Sequence, residues 1–302
     1  MASGEEQAAV LALTAATDRE WHRTASIIEQ AGSALRVLRA EWNGLEPFDI
    51  EDAEAIARRV KPGDLDRYRE MIEQLAEQGV RLLTVVDESY PRNLRRIYNL
   101  PPFLMIRGML LPEDERAIAV VGTRSPSPEG REQARRLAKG LAERQVTVLS
   151  GLARGIDTEA HEGALTADGR TVAVMGTGIK TIYPPENEPL AQRIVDRGAL
   201  VSQFWPDAHP TRTNFPLRNV VMSGMAIGTV VVEAGATSGA KMQARFALDH
   251  GKRLFLVDSL VLQEEWAKRY AEKPGATVVD SVDDIIQVLT SMAQPVEQLT
   301  LG

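Results

Sequence analysis

Two groups of residues in this chain have the types and spacing for chemistry on phosphates. The first is a set of glycine turns that follow apolar runs. They are Gly122-Thr-Arg124, Ser150-Gly151-Leu-Ala-Arg154-Gly155, Gly176-Thr-Gly178 with Lys180 beyond, and Glu233-Ala-Gly-Ala-Thr-Ser238-Gly239 with Lys241 beyond. Glycine lets a backbone approach a phosphate closely, and a helix that starts there offers unpaired N–H groups and a positive dipole end. One such turn says little, because strand-to-helix loops use glycine for geometry alone. Four turns at the ends of four expected strands, with Arg or Lys nearby, describe a phosphate-handling edge. None is a dinucleotide fingerprint: Gly151 to Gly155 lacks the G-x-G-x-x-G spacing, and Gly176-Thr-Gly178 meets Thr181 where a third glycine belongs. There is also no G-x-x-x-x-G-K-[ST] loop, so neither NAD nor ATP, nor any other cofactor, is expected.

The second group is Arg212-Thr-Asn-Phe215-Pro-Leu-Arg218-Asn219. We read it as a loop between a strand and the next helix. An aromatic ring among cations is what single-stranded nucleic acid requires, a face for stacking and donors for the phosphates. A second reading stays open, in which Phe215 caps the core and Arg218 pairs with a carboxylate. His161, in Asp157-Thr-Glu-Ala-His161, reads as a packed histidine behind a capping Asp157 rather than as an acid–base catalyst. Glu233 is the one carboxylate the sequence places at the glycine-lined edge.

The elements that must position these residues follow from periodicity. Residues 5 to about 78 are rich in Ala, Glu, Arg and Leu, with Ile27, Ile28, Ala31, Leu35 and Leu38 at helical spacing. After Gly79 short apolar runs take over, at 80–86, 103–106, 117–121, 146–149, 171–175, 199–202, 228–232, 253–257 and 277–280. Most of the later runs alternate with helical stretches of about ten residues, the mark of βαβ units and a parallel sheet. The expected fold class is α/β, an extended Rossmann-like parallel sheet with helices on both faces, preceded by a small helical N-terminal domain. The expected division is 1–79 helical, 80–292 Rossmann-like, and 293–302 a C-terminal tail.

Composition narrows the classes further. The chain has 302 residues, 44% hydrophobic and 25% charged, which is ordinary for a globular protein. It has no cysteine, so a disulfide framework, a thiolate metal site and a cysteine nucleophile are excluded. The four histidines are scattered, so no histidine-rich metal site is expected. No apolar stretch approaches the roughly 20 residues of a membrane span, and the acidic start is unlike a signal peptide. A cytoplasmic location is expected. The net charge of −7 is uneven: residues 119–257 carry 17 Lys+Arg against 13 Asp+Glu, and the flanks 18 against 29. A basic middle between acidic ends fits a domain that handles phosphates, while overall acidity argues against coating duplex DNA.

Leu149-Ser150-Gly151-Leu-Ala-Arg154-Gly155-Ile-Asp157, with Ala160-His161 and Gly163-Ala-Leu165, closely resembles the signature of the DNA-processing protein A family, DprA or Smf. Tyr90-Pro91, Pro101-Pro-Phe-Leu with Arg107-Gly108, Val121-Gly122-Thr-Arg124, Gly176-Thr-Gly178 with Tyr183-Pro184 and Asn187, Phe215-Pro-Leu-Arg218-Asn219, Val232-Glu233 and Ser238-Gly239 follow in the family's order. The resemblance covers about Val80 to Leu289. It implies a Rossmann-like domain that binds single-stranded DNA, forms a homodimer, helps load a RecA-type recombinase in natural transformation, and catalyses no established reaction. It also implies a basic pocket made by Arg124, Arg212 and Arg218, with Phe215 placed to stack on a base. The wider superfamily binds nucleotides or cleaves their N-glycosidic bonds, so a nucleotide-derivative sensor or N-glycosidase-like enzyme is the alternative. Four positions depart from the family pattern: Gln203 stands for a glutamate, Val220 for an arginine, Asp258-Ser259 for Pro-Gly, and the helical-looking 263–272 for a loop. No winged-helix segment follows the last helix, and the N-terminal helices lack the Gly-x-Gly hairpin of DNA-binding helix pairs.

Overall fold

The computed structural model describes residues 2–17 and 20–293, so the expected tail lies, from residue 294 on, outside the described residues. Five helices come first: α1 (Gly4–Ala15), α2 (Trp21–Ala31), α3 (Ala34–Leu38), α4 (Pro47–Arg59) and α5 (Asp64–Glu77). Ser3 and Ser33 cap α1 and α3 by accepting from the Glu6 and Arg36 amides at 3.2 Å, and Pro47 opens α4 where no N–H is needed.

Nine strands then form one sheet. They are β1 (Val80–Thr84), β2 (Phe103–Gly108), β3 (Ala117–Val121), β4 (Thr147–Ser150), β5 (Thr171–Val174), β6 (Ala199–Ser202), β7 (Gly228–Val231), β8 (Arg253–Val257) and β9 (Ala276–Val279). The spatial order is β1-β2-β6-β5-β4-β3-β7-β8-β9. Strands β3 to β9 pair in parallel, but β1 and β2 do not. Val80 faces Arg107, and Met105 faces Ser202, in antiparallel ladders. The sheet is therefore largely rather than wholly parallel, and every apolar run read from the sequence contributes a strand.

The remaining helices are α6 (Arg92–Arg95), α7 (Pro128–Glu143), α8 (Ile156–Thr166), α9 (Glu188–Arg197), α10 (Asn214–Met225), α11 (Gly239–Asp249), α12 (Asp258–Gln263), α13 (Glu265–Ala271) and α14 (Val282–Ala293). Successive strand residues go to opposite faces, as a doubly covered sheet requires. Ala119, Leu149, Val172 and Val201 enter one core with Val221 and Met222 of α10, and with Val10, Leu13 and Ile28 of the N-terminal helices. Ile118, Val148 and Val230 enter the other with Leu137 and Leu141 of α7 and Ile285 of α14.

The chain runs from β3 outward through β4 and β5 to β6, then returns beside β3 as β7. Order reverses between β3 and β7, and ligands of open α/β sheets bind beyond the strand ends at such a point.

Candidate functional site

A cavity of about 530 Å³ opens at the β3–β7 reversal. Its walls come from the turn after β3 (Gly122, Thr123, Arg124), from α10, and from the turn into α11 (Gly235, Thr237, Ser238, Gly239). The loop expected over Arg212–Asn219 is corrected here, because α10 already begins at Asn214. Pro216 gave the impression of a break, yet a proline in the first turn costs little, since those N–H groups lack intrahelical partners anyway. Being helical, Phe215, Arg218, Asn219 and Met222 stand at i, i+3, i+4 and i+7, one stripe along the cavity. Ser238 caps α11 by accepting from the Ala240 amide at 3.1 Å, and Asn219 Nδ2 donates to Gly239 O at 3.3 Å, which ties α10 to that turn.

Arg218 is buried, and its guanidinium lies 3.7 Å from Asp157 Oδ2. A Cβ on Gly151 would coincide with that guanidinium, so glycine here makes room for an arginine. Asp157 also accepts from the Gly151 and Ala153 amides at 3.1 and 3.4 Å. Burial pushes the Asp157 carboxyl above its ordinary value, with Arg218 and the two amides opposing, and pulls Arg218 below its own.

Phe215 is half-buried and stands as a partition. On one side is the cavity; on the other a narrow cleft bordered by Gly151, Arg154, Gly176 and Tyr183. The Arg124 guanidinium lies 5.1 Å from the Phe215 centroid and the Tyr183 ring 6.2 Å away. A Cβ at Gly176 would come within 2.7 Å of Phe215 Cδ1. Arg124 and Arg212 are exposed, and Arg154 is exposed and paired with Glu186.

Of the candidate residues, Gly122, Arg124, Gly151, Arg154, Phe215, Arg218, Asn219, Ser238 and Gly239 border the cavity or the cleft. Ser150, Gly178, Lys180, Arg212 and Lys241 line neither. Ser150 Oγ donates to Val120 O at 2.7 Å. Gly178 is pressed against the Trp205 and Pro206 carbonyls, and its amide donates to Ala208 O at 2.8 Å. Lys180 reaches Asp207 at 3.8 Å, and Lys241 lies 6.0 Å from the Trp266 ring. Glu233 is occupied with Ser127, whose amide it meets at 3.1 Å and whose Oγ at 2.8 Å, so it fixes the start of α7.

His161 is fully buried. Thr171 Oγ1 donates its only hydrogen to Val148 O at 2.8 Å, so His161 Nδ1, 2.7 Å away, carries the proton. Nε2 has no partner, and burial next to Arg218 lowers the ring's pKa to about 3.

The sequence matches the DNA recombination-mediator protein A family over residues 81–290. It is 34% identical to protein Smf of Synechocystis over 87% of this chain and 66% of that one. It is 34% identical to the DNA processing protein DprA of Bacillus subtilis over 70% of this chain and 72% of that one. The chain belongs to this family. It spans about two thirds of the length of these curated relatives. The X-ray structure of DprA from Streptococcus pneumoniae superposes with a TM-score of 0.73 at 27% identity, covering 95% of this chain and 98% of that one. A Helicobacter pylori DNA processing protein A, whose structure concerns its single-stranded DNA binding mode, gives 0.63 at 25% identity over 71% and 97%. These relatives are named for DNA processing rather than for a catalysed reaction.

The departures from the DprA pattern have structural consequences. Val220 sits in the core beside Val221, where an arginine would be buried. Asp258 and Ser259 start α12 instead of a turn. Helix α13 then sends Trp266, 2% exposed, to donate from Nε1 to Ala234 O at 3.0 Å, which pins the turn that walls the cavity. Gln203 is buried with its Nε2 unpartnered. Sequence reading missed Met222, Thr237 and Gln243 as cavity residues, and only the i+4 and i+7 spacing from Arg218 and Gly239 could have found the first and last. Among the described residues no cluster of three or more His, Asp or Glu could hold a metal ion, and no helix is long and apolar enough to cross a membrane.

Proposed function

We propose that the chain binds single-stranded DNA along the cavity and cleft and passes it to a RecA-type recombinase during DNA uptake or recombination, acting as a cytoplasmic homodimer. The observation that carries this reading is the Arg124–Phe215 pair at 5.1 Å, a cation and an aromatic face held together at a glycine-lined strand edge. Single strands expose bases for such a ring, and duplexes do not. The Helicobacter pylori relative, described for its single-stranded DNA binding mode, supports it. Residues 80–292 form the binding domain in this reading, with 1–79 a helical domain and 293–302 a tail. The apolar surplus of 246–257, an apparent dimer signal, is used inside the chain, because Leu254 to Val257 are fully buried. The homodimer therefore rests on the family, and light scattering at micromolar concentration tests it.

The DNA test is a mobility shift with labelled poly-dT and matched duplex across a salt series. Tighter binding to poly-dT is expected, with a log–log salt slope of about −0.7 per phosphate neutralised. Equal affinity for duplex, or no salt dependence, overturns the reading.

A further inference from the structure

The cavity has more than a phosphate site needs. At its mouth stand Arg124 and the capped N-terminus of α11, an 11-residue helix, where Thr237 and Ser238 add hydroxyls. These suit one phosphate. Inside, the wall is apolar on the side of Phe215 and Met222, and it includes two polar groups with no partner in the protein. Gln243 is 0% exposed; its Nε2 donates to Thr229 Oγ1 at 3.3 Å, and its Oε1 is left as an unpaired acceptor. Arg218, 6% exposed, keeps an unpaired Nε–H donor while its Nη1 faces Asp157. Buried polar atoms of this kind cost stability unless a ligand pairs them. A phosphate alone cannot answer Gln243 Oε1, which needs a donor. Every nucleobase carries both a donor and an acceptor on its pairing edge, on a flat ring that suits the Phe215 and Met222 wall. The volume of about 530 Å³ has room for one nucleotide and not for a run of strand.

We infer that this cavity receives one nucleoside 5′-phosphate unit, with the phosphate at Arg124 and the α11 N-terminus and the base edge read by Gln243 and Arg218. The inference rests on the single-strand reading for the cavity's orientation toward DNA. The unit arrives either as one nucleotide turned out of a bound strand or as a free nucleotide, and both sources share this chemistry.

The test is calorimetry on the full chain with the four deoxynucleoside 5′-monophosphates, with deoxyribose 5-phosphate, and with poly-dT. Each nucleotide is expected to bind at least about tenfold more tightly than the sugar phosphate, the worth of one buried hydrogen bond. Gln243→Leu is expected to remove that advantage while leaving sugar phosphate binding unchanged. Competition of the nucleotides with poly-dT identifies a strand nucleotide as the usual occupant; independent binding identifies a free one. If the sugar phosphate binds as well as the nucleotides, the base contact is overturned, and this comparison stands even where the Gln243 variant fails to fold. If poly-dT binds and no nucleotide does, the cavity inference fails and the DNA reading survives. If neither binds, both fail.

Discussion

Arg124 and Arg218 border the same cavity, yet their surroundings give them different consequences on removal. Arg124 is exposed and rests on the Phe215 ring, so Arg124→Ala takes away one cation and leaves the fold alone. Arg218 neutralises Asp157 in a buried pair, and removing one partner of such a pair strands the other charge. Arg218→Ala is expected to cost about 3–5 kcal/mol of stability. Arg124→Ala is expected to melt like the wild type while lowering affinity for poly-dT and flattening the salt slope. Phe215→Ala should lose roughly 1–3 kcal/mol of stacking with the slope kept. Thermal melts beside the titrations check all three, and a collapsed melting temperature for Phe215→Ala would place that ring in the core. The sequence could show that Arg218 belongs to a pocket motif. It could not show that Gly151 is glycine because the guanidinium occupies its Cβ position, since that is a contact between distant turns.

At the level of elements, strands and long helices were legible because burial on both faces leaves unbroken apolar runs such as Ala117–Val121, and amphipathic helices leave a 3.6-residue stripe. Helix α10 was read as a loop because Asn-Phe-Pro is loop chemistry wherever the first turn is not recognised. The antiparallel β1–β2 edge was also hidden, since an apolar run does not record its direction. Helices α12 and α13 matter more than their sequence implied, because Trp266 holds the cavity turn through one hydrogen bond to Ala234 O. Trp266→Phe keeps most of the packing and removes the donor. It is expected to lower stability by about 1 kcal/mol and to weaken poly-dT binding as the 233–239 turn loosens. Trp266→Ala, which also empties a core position, should cost about 3–5 kcal/mol. Urea midpoints and binding isotherms for the two variants separate the latch from the packing.

The whole molecule carries a net charge of −7, with its basic surplus confined to the middle of the chain, and its stability depends on acid through buried groups rather than through that total. His161 has an ordinary pKa near 6.5 when unfolded and about 3 in the fold. Below 6.5 the unfolded state therefore takes up a proton that the folded state refuses, so folding loses free energy as pH falls. The loss approaches about 1.4 kcal/mol per pH unit from this one residue. His250, lowered to about 4 chiefly by burial, adds in the same direction. Asp157 works the other way, because its folded pKa is raised and the fold gains on protonating it, but only near the carboxylate range below this window. Urea denaturation between pH 7.5 and about 5 is thus expected to show midpoints falling steadily below 6.5. His161→Gln, which keeps a donor toward Thr171 without a titrating ring, is expected to start lower and fall less steeply. Parallel slopes for the two proteins would mean that the His161 ring takes up a proton as readily in the fold as out of it.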